Sequence, residues 1–116
     1  MMNNNRKSIN LLELTPAQRF PWEMNDRGNV EVLVPKFRNR LAKKWIQPYL
    51  RQPHMRVKLD AKGSFVWKQC DGKTTVAIIA HRMEDEFGDT MEEAHDRIRT
   101  FLLMLEQSDL IHLEYR

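Results

Sequence analysis

The sequence predicts an α+β domain in which three strands precede three helices. Three observations carry this expectation: alternation of apolar residues with period two in the first 60 positions, helical spacing after Gly63, and a capping box at Thr90-x-x-Glu93. With 116 residues, 41% hydrophobic and 30% charged, the chain has the length and composition of one globular domain with one modest core.

Residues 1–18 are expected as a partly disordered N-terminal arm, since residues 1–10 are polar and include Asn3, Asn4 and Asn5. Residues 19–116 are expected as the single domain. From Arg19 to Met24, Phe20, Trp22 and Met24 share one face; Asn25, Asp26, Arg27 and Gly28 supply turn chemistry; Val30, Val32 and Val34 alternate again. This is the pattern of a β-hairpin, and Pro35, which has no N–H to give, ends regular pairing. Phe37, Leu41, Trp45 and Tyr49 then recur every four residues opposite Lys36, Arg38, Arg40, Lys43 and Lys44, which predicts a basic amphipathic insertion over 37–53 containing a short helix stopped by Pro48. Met55, Val57 and Leu59 alternate with Arg56 and Lys58, a third strand with a cationic face.

The rest is helical. Phe65 to Cys70 form a short first helix ending at Asp71 and Gly72. Thr75 caps the second, where Val76, Ile79, Ala80, Met83 and Phe87 keep helical spacing until Gly88. The third opens at the capping box and buries Ala94, Ile98, Phe101, Leu102 and Leu105, running to about Gln107. Leu110 to Tyr115 is an extended piece that either pairs with the sheet or docks. A helix, tight turn and helix beside a small three-stranded antiparallel sheet is the outline of a winged helix.

Charge is unevenly distributed. Residues 1–60 carry 12 Lys and Arg against 5 acids, residues 61–116 carry 7 against 11, and no carboxylate lies between Glu31 and Asp60. The patch of Lys36, Arg38, Arg40, Lys43 and Lys44 suits an anionic partner, whether acidic peptide, nucleic acid or lipid headgroup, or is a solvated face balanced by the acidic half. Major-groove DNA reading is disfavoured, because Glu92, Glu93 and Asp96 occupy the first turn of the helix that would meet phosphates. No run reaches the roughly 20 apolar residues of a membrane span, and the start lacks the apolar stretch of a secretory signal, so a cytoplasmic protein is expected.

The residues give no catalytic constellation: no phosphate-cradling Gly-rich loop, no nucleophile elbow, no dense His and Cys cluster. Glu92-x-x-His95 has no matching second motif, His81, His54 and His112 stand alone, and Cys70 in an apolar stretch is expected as a buried structural thiol. No metal or cofactor is expected. Binding remains. A strand open on one side accepts an extended peptide through main-chain hydrogen bonds, and Met55, Arg56, Val57, Lys58 and Leu59 are the candidate. Arg97, Phe101 and Met104, at i, i+4 and i+7 on the third helix, either line a groove wall or pack in the core.

The stretch VKLDAKGSFVWKQCDGKTTVAIIAHRMEDEFG, followed by a helix and SDLIHLEY, resembles the family of coenzyme PQQ synthesis protein D. The matching positions are Leu59 and Asp60, Phe65 to Trp67, Cys70 to Gly72, Thr75 and Val76, Ile79 and Ala80, Phe87, and Leu110. The resemblance implies a small winged-helix-like, non-catalytic domain that recognises a ribosomally made precursor peptide or its leader. Such a domain presents the peptide to a modifying enzyme, often a radical SAM enzyme. It also implies that the peptide adds to the third strand and lies against the third helix, at Met55 to Leu59 and around Arg97, Phe101 and Met104. Two features depart from the family pattern: Ile78 stands where a glutamate is often seen, and the 37–53 insertion replaces a tight connection. The alternative is an adaptor whose basic patch binds nucleic acid or, less favoured, an anionic membrane surface. An edge strand of this kind is also a route to a homodimer.

Overall fold

The computed structural model describes residues 10–35 and 54–115. Along the chain, a 3-10 turn (Leu11–Glu13) is followed by β1 (Leu14–Gln18), β2 (Trp22–Met24), β3 (Val30–Pro35), β4 (His54–Lys58), α1 (Ala61–Lys68), α2 (Val76–Phe87), α3 (Met91–Gln107) and β5 (Ile111–Tyr115). The fold class is α+β as expected, with an antiparallel sheet β2-β3-β4 and three helices. The amphipathic helix expected within 37–53 lies outside the described residues. Two compact units are present, one spanning Phe20–Ala61 and the other Met1–Arg19 with Lys62–Arg116.

The first unit is built on the hairpin. Asn25 Oδ1 accepts from the backbone N–H groups of Arg27 and Asn29, and Gly28, at φ +80°, donates to Asn25 O at 3.0 Å. The positive φ at the turn is one that glycine adopts without strain. The turn sets Trp22 opposite Val32 and Met24 opposite Val30, and β4 then sets Val57 opposite Val32 and Met55 opposite Val34. Val30, Val32 and Val34 are buried, each contributing about 1.5–3 kcal/mol of hydrophobic stabilisation.

In the second unit the helices are stopped and started by local chemistry. Thr75 Oγ1 accepts from Ile78 N–H at 3.3 Å, so α2 is capped by Thr75 although Ile78 cannot return a capping-box bond, and Gly88 in the left-handed region closes it. At Thr90 the capping box is complete, with Glu93 N–H donating to Thr90 Oγ1 at 3.1 Å and Thr90 N–H to Glu93 Oε1 at 3.0 Å. These hydrogen bonds, the Thr90 backbone one first, hold the Glu93 carboxyl below its ordinary pKa. At the other end of α3, Asp109 N–H donates to Glu106 O at 2.9 Å and Leu110 N–H to Leu105 O at 2.8 Å. With Asp109 at φ 63° this is a Schellman turn, sealed by the buried Leu105 and Leu110. It sends the chain straight into β5.

Three elements differ from expectation. Part of the expected arm is a strand: β1 pairs antiparallel with β5, Leu14 opposite Tyr115 through Gln18 opposite Ile111. A partner some 100 residues away leaves no local signal, and Pro16 in its middle disguises the strand. The closing segment therefore pairs with β1 and not with the three-stranded sheet. Finally, α1 starts at Ala61 and ends at Lys68, with Gln69 and Cys70 in the following turn. Gly63, after which the sequence placed the helical spacing, is a buried residue of its first turns.

Candidate functional site

Two hydrogen bonds fix how β4 presents its backbone. Leu59 N–H donates to Val30 O at 2.9 Å, and Leu33 N–H donates to Pro21 O at 2.9 Å. On β3, the even-numbered residues therefore bond toward β4 and the odd-numbered ones toward β2. In an antiparallel ladder the bonding side alternates residue by residue, so Met55 and Val57 bond back to β3. Arg56 and Lys58 turn their N–H and C=O groups to the opposite side. Among the described residues no strand pairs along that side, because the sheet ends at β4 and the terminal strand is taken by β1.

The side chains separate onto two faces. Met55, Val57 and Leu59 share the face of Trp22, Val30, Val32 and Val34; Met55 is 52% exposed, Val57 half-buried and Leu59 buried. The opposite face carries Arg56 and Lys58 with Glu23 of β2 and Glu31 of β3. Arg56 Nη1 donates to Glu23 Oε1 and, at 3.2 Å, to Glu31 Oε1, while Asn25 Nδ2 donates to Glu31 Oε2 at 3.1 Å. The hydrogen bond to Glu23, then its charge and those of Glu31, raises the Arg56 pKa. The Asn25 hydrogen bond, then Arg56 and Lys58, lowers that of Glu31. The cationic face expected on β4 is present at Arg56 and Lys58, with two carboxylates beside it that were not anticipated. Their signal was in the alternation: Glu23 and Glu31 fall between the apolar residues of β2 and β3. That they meet Arg56 follows only from the strand register.

On α3, Ala94, Ile98, Leu102 and Leu105 are buried, and Arg97, Phe101 and Met104 lie beside that stripe: Arg97 exposed, Phe101 half-buried and Met104 52% exposed. These three share one strip of α3 in the second unit, and Met55 to Leu59 share one edge of the first. Lys36, Arg38, Arg40, Lys43 and Lys44 lie outside the described residues. Among the described residues no three His, Cys, Asp or Glu side chains converge as a metal site, and no helix is long and apolar enough to cross a membrane.

The family model for coenzyme PQQ synthesis protein D (PqqD) matches residues 49–111, more than half of the chain. The chain belongs to this family. The matched span covers β4, all three helices and the start of β5, and leaves β1, β2 and β3 outside. Searches of curated proteins and of solved structures find no match.

Most of the positions that carry the PqqD resemblance have architectural work. Cys70 O accepts from Gln18 N–H at 3.1 Å, Gly72 N–H donates to Pro16 O at 2.8 Å, and Asp71 bridges Ala17, so the Cys-Asp-Gly turn runs along the outer side of β1. Pro16 fits there because only its carbonyl is called on. Asp71 Oδ1 accepts from Lys73 and Thr74 N–H, both at 2.8 Å, which lowers its pKa. Cys70 is buried with Sγ 3.3 Å from Val66 O, and burial, then Asp71, pushes the thiol up to about 12. This is a structural thiol, as its apolar setting suggested. Arg56 and Lys58, by contrast, turn their backbone groups away from β3, with no strand partner among the described residues.

Proposed function

We propose that the protein is a non-catalytic, cytoplasmic binding module that takes up a ribosomally made precursor peptide as an added strand on β4 and presents it to a modifying enzyme, in the manner of a radical SAM partner. The observation that carries this reading is the outward backbone of Arg56 and Lys58 at the end of the three-stranded sheet. Membership of a coenzyme PQQ synthesis family supports an accessory role in making a small molecule. Met55 and Val57 offer apolar contact to alternate side chains of the incoming strand, the usual division of labour in strand addition. The winged-helix-like arrangement and the contribution of Arg97, Phe101 and Met104 as a second contact surface are carried by the family resemblance.

Amide exchange tests the reading residue by residue. In the free protein the Arg56 and Lys58 amides should exchange fast while that of Val57, bonded to β3, is protected. A precursor peptide encoded beside this gene, binding at micromolar strength or better, should protect Arg56 and Lys58 and leave Val57 unchanged. Binding without protection at those two amides refutes strand addition at β4. Met104→Ala, at a half-exposed position, should weaken the same peptide severalfold with no change in melting temperature; unaltered affinity would remove α3 from the contact surface.

A further inference from the structure

Resting on the strand-addition reading, we propose that Lys58 selects the incoming strand. The chosen segment is antiparallel to β4 and places a carboxylate across from Lys58 and apolar side chains across from Val57 and Met55.

The two cations of β4 are not equivalent. The Arg56 guanidinium reaches back across the sheet to Glu23 on β2 and Glu31 on β3, away from the outer edge. Lys58 is exposed and lies across from Glu31, a carboxylate already engaged by Asn25 and Arg56, and makes no ion pair of its own among the described residues. A strand added outside β4 meets Lys58 as its nearest cross-strand neighbour, about 5.5 Å away between Cα atoms in a hydrogen-bonded pair. Glu31 stands one strand further back, on the other side of β4. Lys58 is therefore the exposed cation of β4 that no ion pair draws back across the sheet, with Glu31 its neighbour on the inner side only.

The register then dictates a pattern. The residue across from Lys58 shares the charged face, the next lies across from Val57 on the apolar face, the third faces Arg56, and the fourth faces Met55. Because Arg56 is occupied, the third position carries no charge requirement. The sequence recognised is acidic, apolar, any residue, apolar. The exposed Met55 side chain adapts to different apolar partners.

The test uses synthetic peptides of about twelve residues containing Asp-Val-Ser-Val, with Asn or Lys in place of the Asp, against the wild type, Lys58→Gln and Lys58→Glu. Opposite-charge cross-strand pairs are worth up to about fivefold in affinity and like charges cost as much. The wild type should thus prefer the Asp peptide over the Lys peptide by about tenfold, with Asn between. Lys58→Glu should invert the order, and Lys58→Gln, which puts no carboxylate beside Glu31, should abolish it. An unchanged order in all three proteins, with the Arg56 and Lys58 amides still protected, overturns selection by Lys58 and leaves strand addition standing. If no peptide protects those amides, strand addition itself falls, and this inference with it.

Discussion

Replacing Gly72 by alanine tests the role of the Cys-Asp-Gly turn as the outer partner of β1. Gly72 sits at φ +79°, and a Cβ built there meets Ala17 Cβ at 3.4 Å, an ordinary contact. The cost is therefore conformational: an alanine in the left-handed region is disfavoured by about 1–2 kcal/mol. The lower entropy of the unfolded alanine chain offsets about 0.4–1 kcal/mol of this. If the residue instead relaxes to negative φ, Gly72 N–H leaves Pro16 O, a loss of about 0.5–1.5 kcal/mol for one hydrogen bond. With that offset applied to either route, the net loss is at most about 1 kcal/mol, which for a chain of this length lowers the melting temperature by up to about 4 °C. Thermal unfolding followed by circular dichroism reads the shift, and exchange at the Gln18 amide, which donates to Cys70 O, reads the loosening of β1 directly. Gly28→Ala is the control, with φ +80° and nothing within 4 Å of the added carbon. It should lower the melting temperature similarly while leaving Gln18 protected. A Gly72→Ala protein that melts at or above the wild type, with Gln18 still protected, refutes the reasoning.

Two further outcomes follow from the same turn. With its pKa pushed up to about 12 by burial, the Cys70 thiol should react with alkylating reagents at pH 8 at least a hundredfold more slowly in the native protein than in denaturant; equal rates would contradict its structural role. Asp71 has a folded pKa below its ordinary 3.8, so the stability it contributes is present above that value and is lost as pH falls through the lower folded value. Asp71→Asn should therefore melt below the wild type at pH 7, with the gap narrowing as the pH falls below the ordinary 3.8, and a gap that stays constant through that fall would show that the charge of Asp71 is not what the turn uses.

What could be read from the sequence was what is decided over a few residues. Thr75, Gly88, Thr90 and Glu93 bound α2 and α3 through contacts three or four positions apart, and the Asn25 to Gly28 turn fixes the hairpin in the same way. The alternation of Met55 to Leu59 revealed β4 and its two faces. The features that depend on distant partners were hidden. β1 exists because β5 and the Cys-Asp-Gly turn flank it, and nothing in Leu14-Thr15-Pro16-Ala17-Gln18 announces a strand. The Schellman turn at Asp109 was missed because an aspartate stands where glycine is usual. At the site, the cations were legible but their acidic neighbours were not, since Glu23 lies 33 positions from Arg56 and only the β2-β3-β4 register joins them.

The two units answer the same physical problem differently. A strand edge is a row of unpaired donors and acceptors that invites unwanted pairing. On β1 the row is closed by Cys70, Asp71 and Gly72, with Pro16 contributing only its carbonyl. On β4 no such turn is present among the described residues, and charge is the remaining safeguard. If two copies met edge to edge with their outward groups matched, an antiparallel register centred on Arg56 would set Arg56 against Arg56. One centred on Val57 would set Arg56 against Lys58 twice, and like charges directly opposed destabilise a strand pair. Edge-to-edge pairing of two copies is thus opposed by like charges, tempered at Arg56 by its pairs with Glu23 and Glu31. The closed edge of β1 gives the Cys-Asp-Gly turn a structural task, while on β4 the outward groups of Arg56 and Lys58 have no strand partner among the described residues.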